Sequence, residues 1–183
     1  VDILSEQQLA EGKLERYRVI YIPGTHLRRD AGKVVRDWVQ AGGTVFTDAF
    51  GLARDEANQK SPEMNEMLGL ADRSLKTWGS VEQYRASDLK PLSEIAVPAK
   101  EAEFSWDNTK LQARVGREAL NVKTAEVVAT FADGKPAVTR NRFGKGEAIV
   151  AGLWTGITYS ATVRRNDFNM QTDFDSVLRK LIA

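Results

Sequence analysis

The stretch from Tyr17 to Gly51, YRVIYIPGTHLRRDAGKVVRDWVQAGGTVFTDAFG, decides the fold of this chain. Its apolar run Arg18–Ile22 predicts a strand that is buried on both faces. Apolar side chains then recur at helical spacing between Asp30, a candidate N-cap, and the Gly42-Gly43 stop. The segment Thr44–Thr47 predicts a second strand. A helix that connects two buried strands indicates a right-handed crossover between parallel neighbours.

The remainder of the chain carries signals of both helices and strands. A short helix is predicted from Ser5 to the Gly12 stop, and another from Pro62 to the Gly69 stop. Between 103 and 154, short apolar segments alternate with turn residues, which predicts antiparallel hairpins. An amphipathic helix is predicted over 173–182, whereas residues 70–100 show too little periodicity to assign their elements.

The composition excludes several classes of function. The 26 basic and 25 acidic residues leave a net charge of +1, which provides no long-range field for nucleic acid or an anionic membrane. Apolar segments such as Ala148–Leu153 are too short to cross a bilayer. The chain has no cysteine and one histidine, His26, so neither a thiolate nor a histidine-rich metal site is available. We therefore predict no metal, cofactor, nucleic-acid or membrane partner, and the cellular compartment stays open.

Small and polar residues follow both predicted parallel strands, at the sheet edge where α/β proteins bind ligands. The candidate ligand-binding residues are Gly24, Thr25, His26, Asp48, Phe50, Arg54 and Trp154. His26 could act as a general base or sugar contact, or it could be an exposed loop histidine. Asp48 could take part in acid–base chemistry or cap the turn, and Trp154 could stack on a sugar or pack in the core.

Three segments carry a resemblance to a known family: YRVIYIPG, VVRDWVQAGGTVFTDAFG and GKPAVTRNRFGKGEAIVAGL. Together they resemble the class I glutamine amidotransferase-like fold. Within that group they are most similar to the trimerisation domain of bacterial beta-galactosidases. The resemblance covers residues 1–70 and 125–155 and is loose between them.

The resemblance implies a scaffold without amidotransferase chemistry. Active amidotransferases carry a cysteine nucleophile two residues before the glycine of a tight turn, and Ala49 stands at that place before Gly51. A methyl group cannot attack a carbonyl carbon. These enzymes also use a histidine late in the chain, whereas this chain has none after His26. The resemblance further implies that the first strand and helix of the full fold lie upstream of Val1.

From these signals we predict an α/β fold with a flavodoxin-like, mainly parallel sheet, helices on both faces, and an antiparallel hairpin extension towards the C-terminus. We expect residues 1–183 to form a single amidotransferase-like domain that belongs to a larger protein.

The leading functional hypothesis is a non-catalytic domain of a carbohydrate-active enzyme, a beta-galactosidase-like glycoside hydrolase. Such a domain would pack against an upstream catalytic domain of the same chain and help to form a homo-oligomer. One alternative is a module that binds a small molecule or a sugar between the two strand ends. A second alternative is an independent hydrolase that uses His26 with Asp48.

Overall fold

A computed structural model describes residues 2–78, 98–106 and 109–162 of the chain. The helices of this part are α1 (Glu6–Ala10), α2 (Arg29–Ala41), α3 (Pro62–Leu68), α4 (Ala99–Ala102) and α5 (Thr155–Thr162). The strands are β1 (Val19–Tyr21), β2 (Thr44–Thr47), β3 (Leu70–Thr77), β4 (Glu103–Trp106), β5 (Thr109–Gln112), β6 (Gly116–Val122), β7 (Glu126–Thr130), β8 (Pro136–Phe143) and β9 (Gly146–Ala151).

The largest sheet has the strand order β1-β2-β9-β8-β7. Strand β2 pairs in parallel with β1 on one side and with β9 on the other. The predicted parallel pairing across α2 is confirmed, with Ile20 opposite Val45. The next two pairings, β9 with β8 and β8 with β7, are antiparallel. Separate two-stranded sheets are formed by β3 with β6 and by β4 with β5.

Helix α2 packs on the sheet through one apolar face, which includes the fully buried Val35 and Val39. The helix begins one residue before the predicted Asp30. Carboxylates of other segments cap the first amides of the helix. The carboxylate of Glu6 accepts a hydrogen bond from the amide of Arg28, and the carboxylate of Glu56 accepts one from the amide of Arg29. The helix ends as predicted at Gly42, whose φ of 132° favours glycine.

Two hydrophobic clusters cover opposite faces of the largest sheet. Along β9, Val150 belongs to the first cluster with helices α1–α3, while Ile149 points to the second. The second cluster also holds Trp78, Phe104 and Phe131. Its described cover comes from the β4–β5 hairpin together with Trp78 and Ala102 of α4.

The predicted fold class is therefore wrong. The sheet is mixed, since it has two parallel and two antiparallel pairings, and the described helices α1–α3 contribute to one face only. The physical reason is the position of β9. It inserts beside β2 and pairs on its other side with β8, so the antiparallel strands β7 and β8 are part of the largest sheet itself.

Several local predictions can be compared with the described residues. Ser5 forms a capping box with Gln8 at the start of α1, and α3 runs from Pro62 to the left-handed Gly69 at φ 71°. Strand β3 lies in the segment 70–100 that the sequence did not assign. The helix predicted over 173–182 lies outside the described residues.

Candidate functional site

The turn after β2 is tight and rests on a glycine. The backbone enters the left-handed region at Phe50, with φ 64°, one residue after Ala49, whose side chain is only 2% exposed. A Cβ on Gly51 would lie 1.9 Å from Oγ1 of Thr47 and 3.0 Å from the carbonyl oxygen of Ile22. The same Thr47 hydroxyl donates to that carbonyl at 2.7 Å. The close packing around this hydrogen bond leaves room only for glycine.

A buried ion pair holds the turn from the side of the β3–β6 sheet. Arg73 and Glu118 form two hydrogen bonds, of 2.5 Å and 3.0 Å, and their side chains are 3% and 0% exposed. The carboxylate of Glu118 also accepts from the amide of Phe50 at 2.8 Å. The guanidinium of Arg73 donates to the carbonyl of Gly51 at 2.8 Å. Both charges thus find polar partners on the strained turn, which fixes its geometry.

The loop after β1 lies directly against the segment that follows this turn. The carbonyl of Gly24 accepts from the amide of Leu52 at 2.8 Å, and that of Thr25 from the amide of Arg54 at 3.0 Å. Arg54 in turn accepts from the amide of Leu27 at 2.9 Å. The predicted neighbourhood of the two strand ends therefore exists, and backbone hydrogen bonds join the two loops.

His26 and Asp48 make hydrogen bonds to different partners. The exposed His26 places Nε2 at 3.1 Å from Oδ1 of Asn58. Arg54 donates to the carbonyl of the same Asn58 at 2.8 Å. In the described residues, the hydrogen bonds of Asp48 go to Tyr21 and to the start of α5 and not to His26.

Asp48 forms the polar centre of the strand ends. Its Oδ2 accepts from the hydroxyl of Tyr21 at 2.7 Å and from the amide and hydroxyl of Thr155, both at 3.3 Å. Its Oδ1 is buried and has no hydrogen-bond partner among the residues that the structure describes. Burial raises the pKa of Asp48 against the opposing effect of these donors. Burial also raises the pKa of Tyr21. Sequence reasoning found Asp48 but missed Tyr21, which ends β1, and Thr155, which begins α5 directly after the candidate Trp154.

Two further candidates flank the same region. Trp154 is partly buried just before α5, and its ring would lie 3.1 Å from a Cβ on Gly116. The ring of Phe50 has the guanidinium carbon of Arg54 at 6.0 Å and that of Arg73 at 5.9 Å from its centroid. Phe50 thus packs between two cations, an arrangement that favours a fixed ring.

A groove of about 650 Å³ lies elsewhere, between α2 and the segment that leads into α3. Arginines and lysines of both elements line it, among them Arg28, Arg29 and Lys33, and Leu27 and Met64 also contribute. These cations are already paired, because Arg29 contacts Asp55 at 2.7 Å and Lys33 contacts an acid on its own helix. The strand-end candidates from the sequence do not line this groove.

Two searches of the described part of the chain found nothing. Within residues 2–78, 98–106 and 109–162, no group of three or more histidine or acidic side chains could hold a metal ion. Within the same ranges, no helix is long and apolar enough to cross a membrane.

Comparison with solved structures shows a shared fold. Gan42B, a GH42 beta-galactosidase from G. stearothermophilus, is 17% identical with a TM-score of 0.62, over 99% of this chain and 23% of that protein. The exo-beta-1,4-mannosidase Op5Man5 from Opitutaceae bacterium strain TAV5 is 16% identical with a TM-score of 0.61, over 93% of this chain and 26% of that protein. A beta-galactosidase from Bacillus circulans sp. alkalophilus is 20% identical with a TM-score of 0.58, over 79% of this chain and 21% of that protein.

The chain thus spans about a quarter of the length of these proteins. No curated protein matches the sequence significantly. The family model described as the beta-galactosidase trimerisation domain matches residues 1–167. This match confirms the resemblance to that domain predicted from the sequence. Because it covers most of the 183 residues, the chain belongs to the beta-galactosidase trimerisation domain family.

Proposed function

We propose that this chain is a non-catalytic oligomerisation domain of a larger beta-galactosidase-like glycoside hydrolase. The observation that carries the proposal is the family match over residues 1–167. The catalytic domain, in the same polypeptide, would supply the activity, and this domain would hold copies of the protein together.

The chemistry of the turn after β2 supports a packing role. The amide of Ala49 donates to the carbonyl of Leu153 at 3.1 Å, and the next amide donates to Glu118. Backbone amides that stabilise a developing negative charge must point at the reacting atom. Here they are engaged by the protein itself, and the chain has no cysteine to act at Ala49. The turn therefore joins secondary-structure elements and does not present a reactive group.

The experiment compares the full-length protein with a version that lacks these 183 residues. Size-exclusion chromatography with light scattering measures the oligomeric state, and hydrolysis of a chromogenic galactoside measures activity. We expect a trimer for the full-length protein and a monomer for the shortened one. Circular dichroism of the shortened protein checks that the catalytic domain stays folded. An unchanged oligomeric state with a folded catalytic domain would refute the proposal.

We also infer a common origin with class I glutamine amidotransferases. The supporting features are the β1–α2–β2 unit and the left-handed turn that follows β2. A crystal structure of the full-length protein, superimposed on an amidotransferase, tests this origin. The nucleophile should fall on Ala49, and a superposition that fails around the turn would contradict it.

A second candidate function is the binding of a small polar ligand, such as a sugar, at the strand ends. The buried Oδ1 of Asp48 favours it, because no group of the described residues donates a hydrogen bond to this oxygen. Calorimetric titration of the full-length protein and its Asp48→Ala variant with galactose and lactose is the test. A second binding event that disappears in the variant would support it, and identical isotherms would count against it.

The hydrolase alternative, with His26 and Asp48, has a separate test. The double variant His26→Ala, Asp48→Ala should retain full activity if the catalytic groups lie in another domain. Loss of turnover with an unchanged fold and oligomeric state would revive the hydrolase hypothesis.

A further inference from the structure

Three hydrogen-bond donors surround the carboxylate of Glu118. Nε and Nη2 of Arg73 donate to its two oxygens at 2.5 Å and 3.0 Å, and the amide of Phe50 donates to Oε2 at 2.8 Å. The carboxylate and the guanidinium are both buried, so water does not weaken these contacts. A guanidinium fork and a backbone amide are the donors with which proteins bind carboxylate ligands. Glu118 is thus held in the way that a ligand is held.

Arg73 is fixed by contacts that do not involve the carboxylate of Glu118. Its backbone lies opposite Leu120 in the ladder of β3 with β6. Its Nη1 donates to the carbonyl of Gly51 at 2.8 Å, and its guanidinium carbon lies 5.9 Å from the centroid of the Phe50 ring. The fork therefore has supports of its own on the turn and on β3.

The turn that carries the third donor, the amide of Phe50, is also held without the carboxylate. The hydroxyl of Thr47 donates to the carbonyl of Ile22 at 2.7 Å, and the amide of Leu52 donates to the carbonyl of Gly24 at 2.8 Å. These bonds fix the chain on both sides of the amide. All three donors are therefore placed in advance of the group that they bind, which is the property of a preorganised site.

We propose that Arg73 and the amide of Phe50 form a carboxylate-binding site. Glu118 fills this site as an internal ligand, and the site takes up a free carboxylate when that side chain is removed. The alternative is an ordinary ion pair, whose two members are ordered only by each other. The two cases differ in their consequences, because an ordinary pair is lost with either member, whereas a preorganised site stays and can be filled again.

The test removes the side chain of Glu118 in the full-length protein and offers the site a small carboxylate. Glu118→Ala leaves the Cβ in place, and formate is small enough to take the position of the missing carboxylate. Hydrogen–deuterium exchange, resolved with overlapping peptides, follows the amide of Phe50, which loses its acceptor in the variant. We expect this amide to exchange faster in Glu118→Ala and to be slowed again, saturably, by formate. At a formate concentration ten times its dissociation constant, the exchange rate should fall about 11-fold.

Three controls identify the site that formate occupies. Sodium chloride at the same ionic strength measures the general effect of salt, which does not saturate in the same way. Glu118→Gln fills the site with an amide of nearly the same size, so formate should not change the exchange of that variant. Arg73→Met, added to Glu118→Ala, removes the fork and should abolish the response to formate.

A second variant keeps the test decisive if Glu118→Ala is poorly folded. Glu118→Gly is titrated with acetate, whose methyl group takes up space left by the missing Cβ and Cγ. If a variant is unfolded in plain buffer, its matched carboxylate should restore slow exchange to the peptides of this domain.

Three results would overturn the proposal. If no carboxylate slows the exchange of either variant, the donors do not persist without Glu118 and the pair is an ordinary one. Equal effects of formate and chloride would mean adventitious ion binding only. A response to formate that survives Arg73→Met would place the bound anion at another position.

Discussion

The buried pair of Arg73 and Glu118 gives the sharpest prediction for the stability of the fold. The change is Glu118→Gln, which keeps the size of the side chain and removes its charge. Arg73 would then be a cation with a 3% exposed side chain and no counter-ion, and the amide of Phe50 would lose a charged acceptor. Breaking a buried ion pair on one side costs about 3–5 kcal/mol.

Denaturant unfolding of the 183-residue chain, followed by tryptophan fluorescence, measures this loss. Thermal unfolding should show the same loss. For a chain of this size, each kcal/mol corresponds to about 2–4 °C, so the melting temperature should fall by roughly 6–20 °C. The matched control is Glu126→Gln on β7, because Glu126 is exposed. It should change the free energy of unfolding by less than about 0.5 kcal/mol.

A double-mutant cycle separates the pair from its surroundings. The single change Arg73→Met should also destabilise, because it leaves the buried carboxylate of Glu118 unpaired. The double variant should cost less than the sum of the single changes by up to about 3 kcal/mol, the range expected for side chains in direct contact. Strictly additive changes, or a Glu118→Gln variant within about 1 kcal/mol of the unchanged chain, would refute this account of the turn.

Three other perturbations test the strand ends. Burial raises the pKa of Asp48, so its contribution to stability is greatest below about pH 3.9, the ordinary value, and is lost as pH rises through the raised pKa. Asp48→Asn should therefore raise the melting temperature near pH 7 and flatten its pH dependence above pH 4, and a lower melting temperature would contradict this. Gly51→Ala should lower the free energy of unfolding, measured with denaturant, by about 1–3 kcal/mol, because the added Cβ would collide with Thr47. Gly156→Ala is the control: its added Cβ has no atom within 4 Å, so the change should be neutral or stabilising. Backbone hydrogen bonds lower the pKa of Asp55, so its carboxylate stabilises the fold above about pH 4, and this contribution is lost as pH falls through the lowered pKa. The Asp55→Asn chain should therefore lose less stability on acidification than the unchanged chain. Identical acid unfolding curves would contradict this.

Local signals predicted the β1–α2–β2 unit from the sequence because each of them acts over a few residues. Helical spacing, the Gly42 stop and the Pro62 start correspond to observed element ends. The burial of β1 was predicted less well, since Tyr21 is 47% exposed. In the described sheet β1 pairs only with β2. An apolar run in the sequence does not distinguish an edge strand, with one neighbour, from a central strand, with two.

The fold class could not be obtained in the same way, because strand partners are chosen over long distances. Phe46 and Ile149 lie opposite each other in the sheet, about a hundred residues apart in the sequence. Periodicity shows that both segments are strands, but it does not show that β9 inserts beside β2. The mixed character of the sheet follows from that one pairing.

The sequence predicted only those residues of the candidate site that follow the ends of predicted parallel strands. The rule that ligands bind at the carboxyl ends of parallel strands led to Asp48, which is indeed a buried polar centre. The rule could not lead to Arg73 or Glu118, which look like ordinary polar strand residues in LADRSLKT and GREALNV. Their importance comes from burial and mutual contact, and neither property is visible in a residue type.

The strained turns at Phe50 and Val115 support the same view of how this domain works. Each has a left-handed residue, and each is held by hydrogen bonds from elements far away in the sequence. A turn that must move during a reaction would not be expected to have its backbone groups bound in this way. Fixed turns instead lower the entropy that is lost when two surfaces associate.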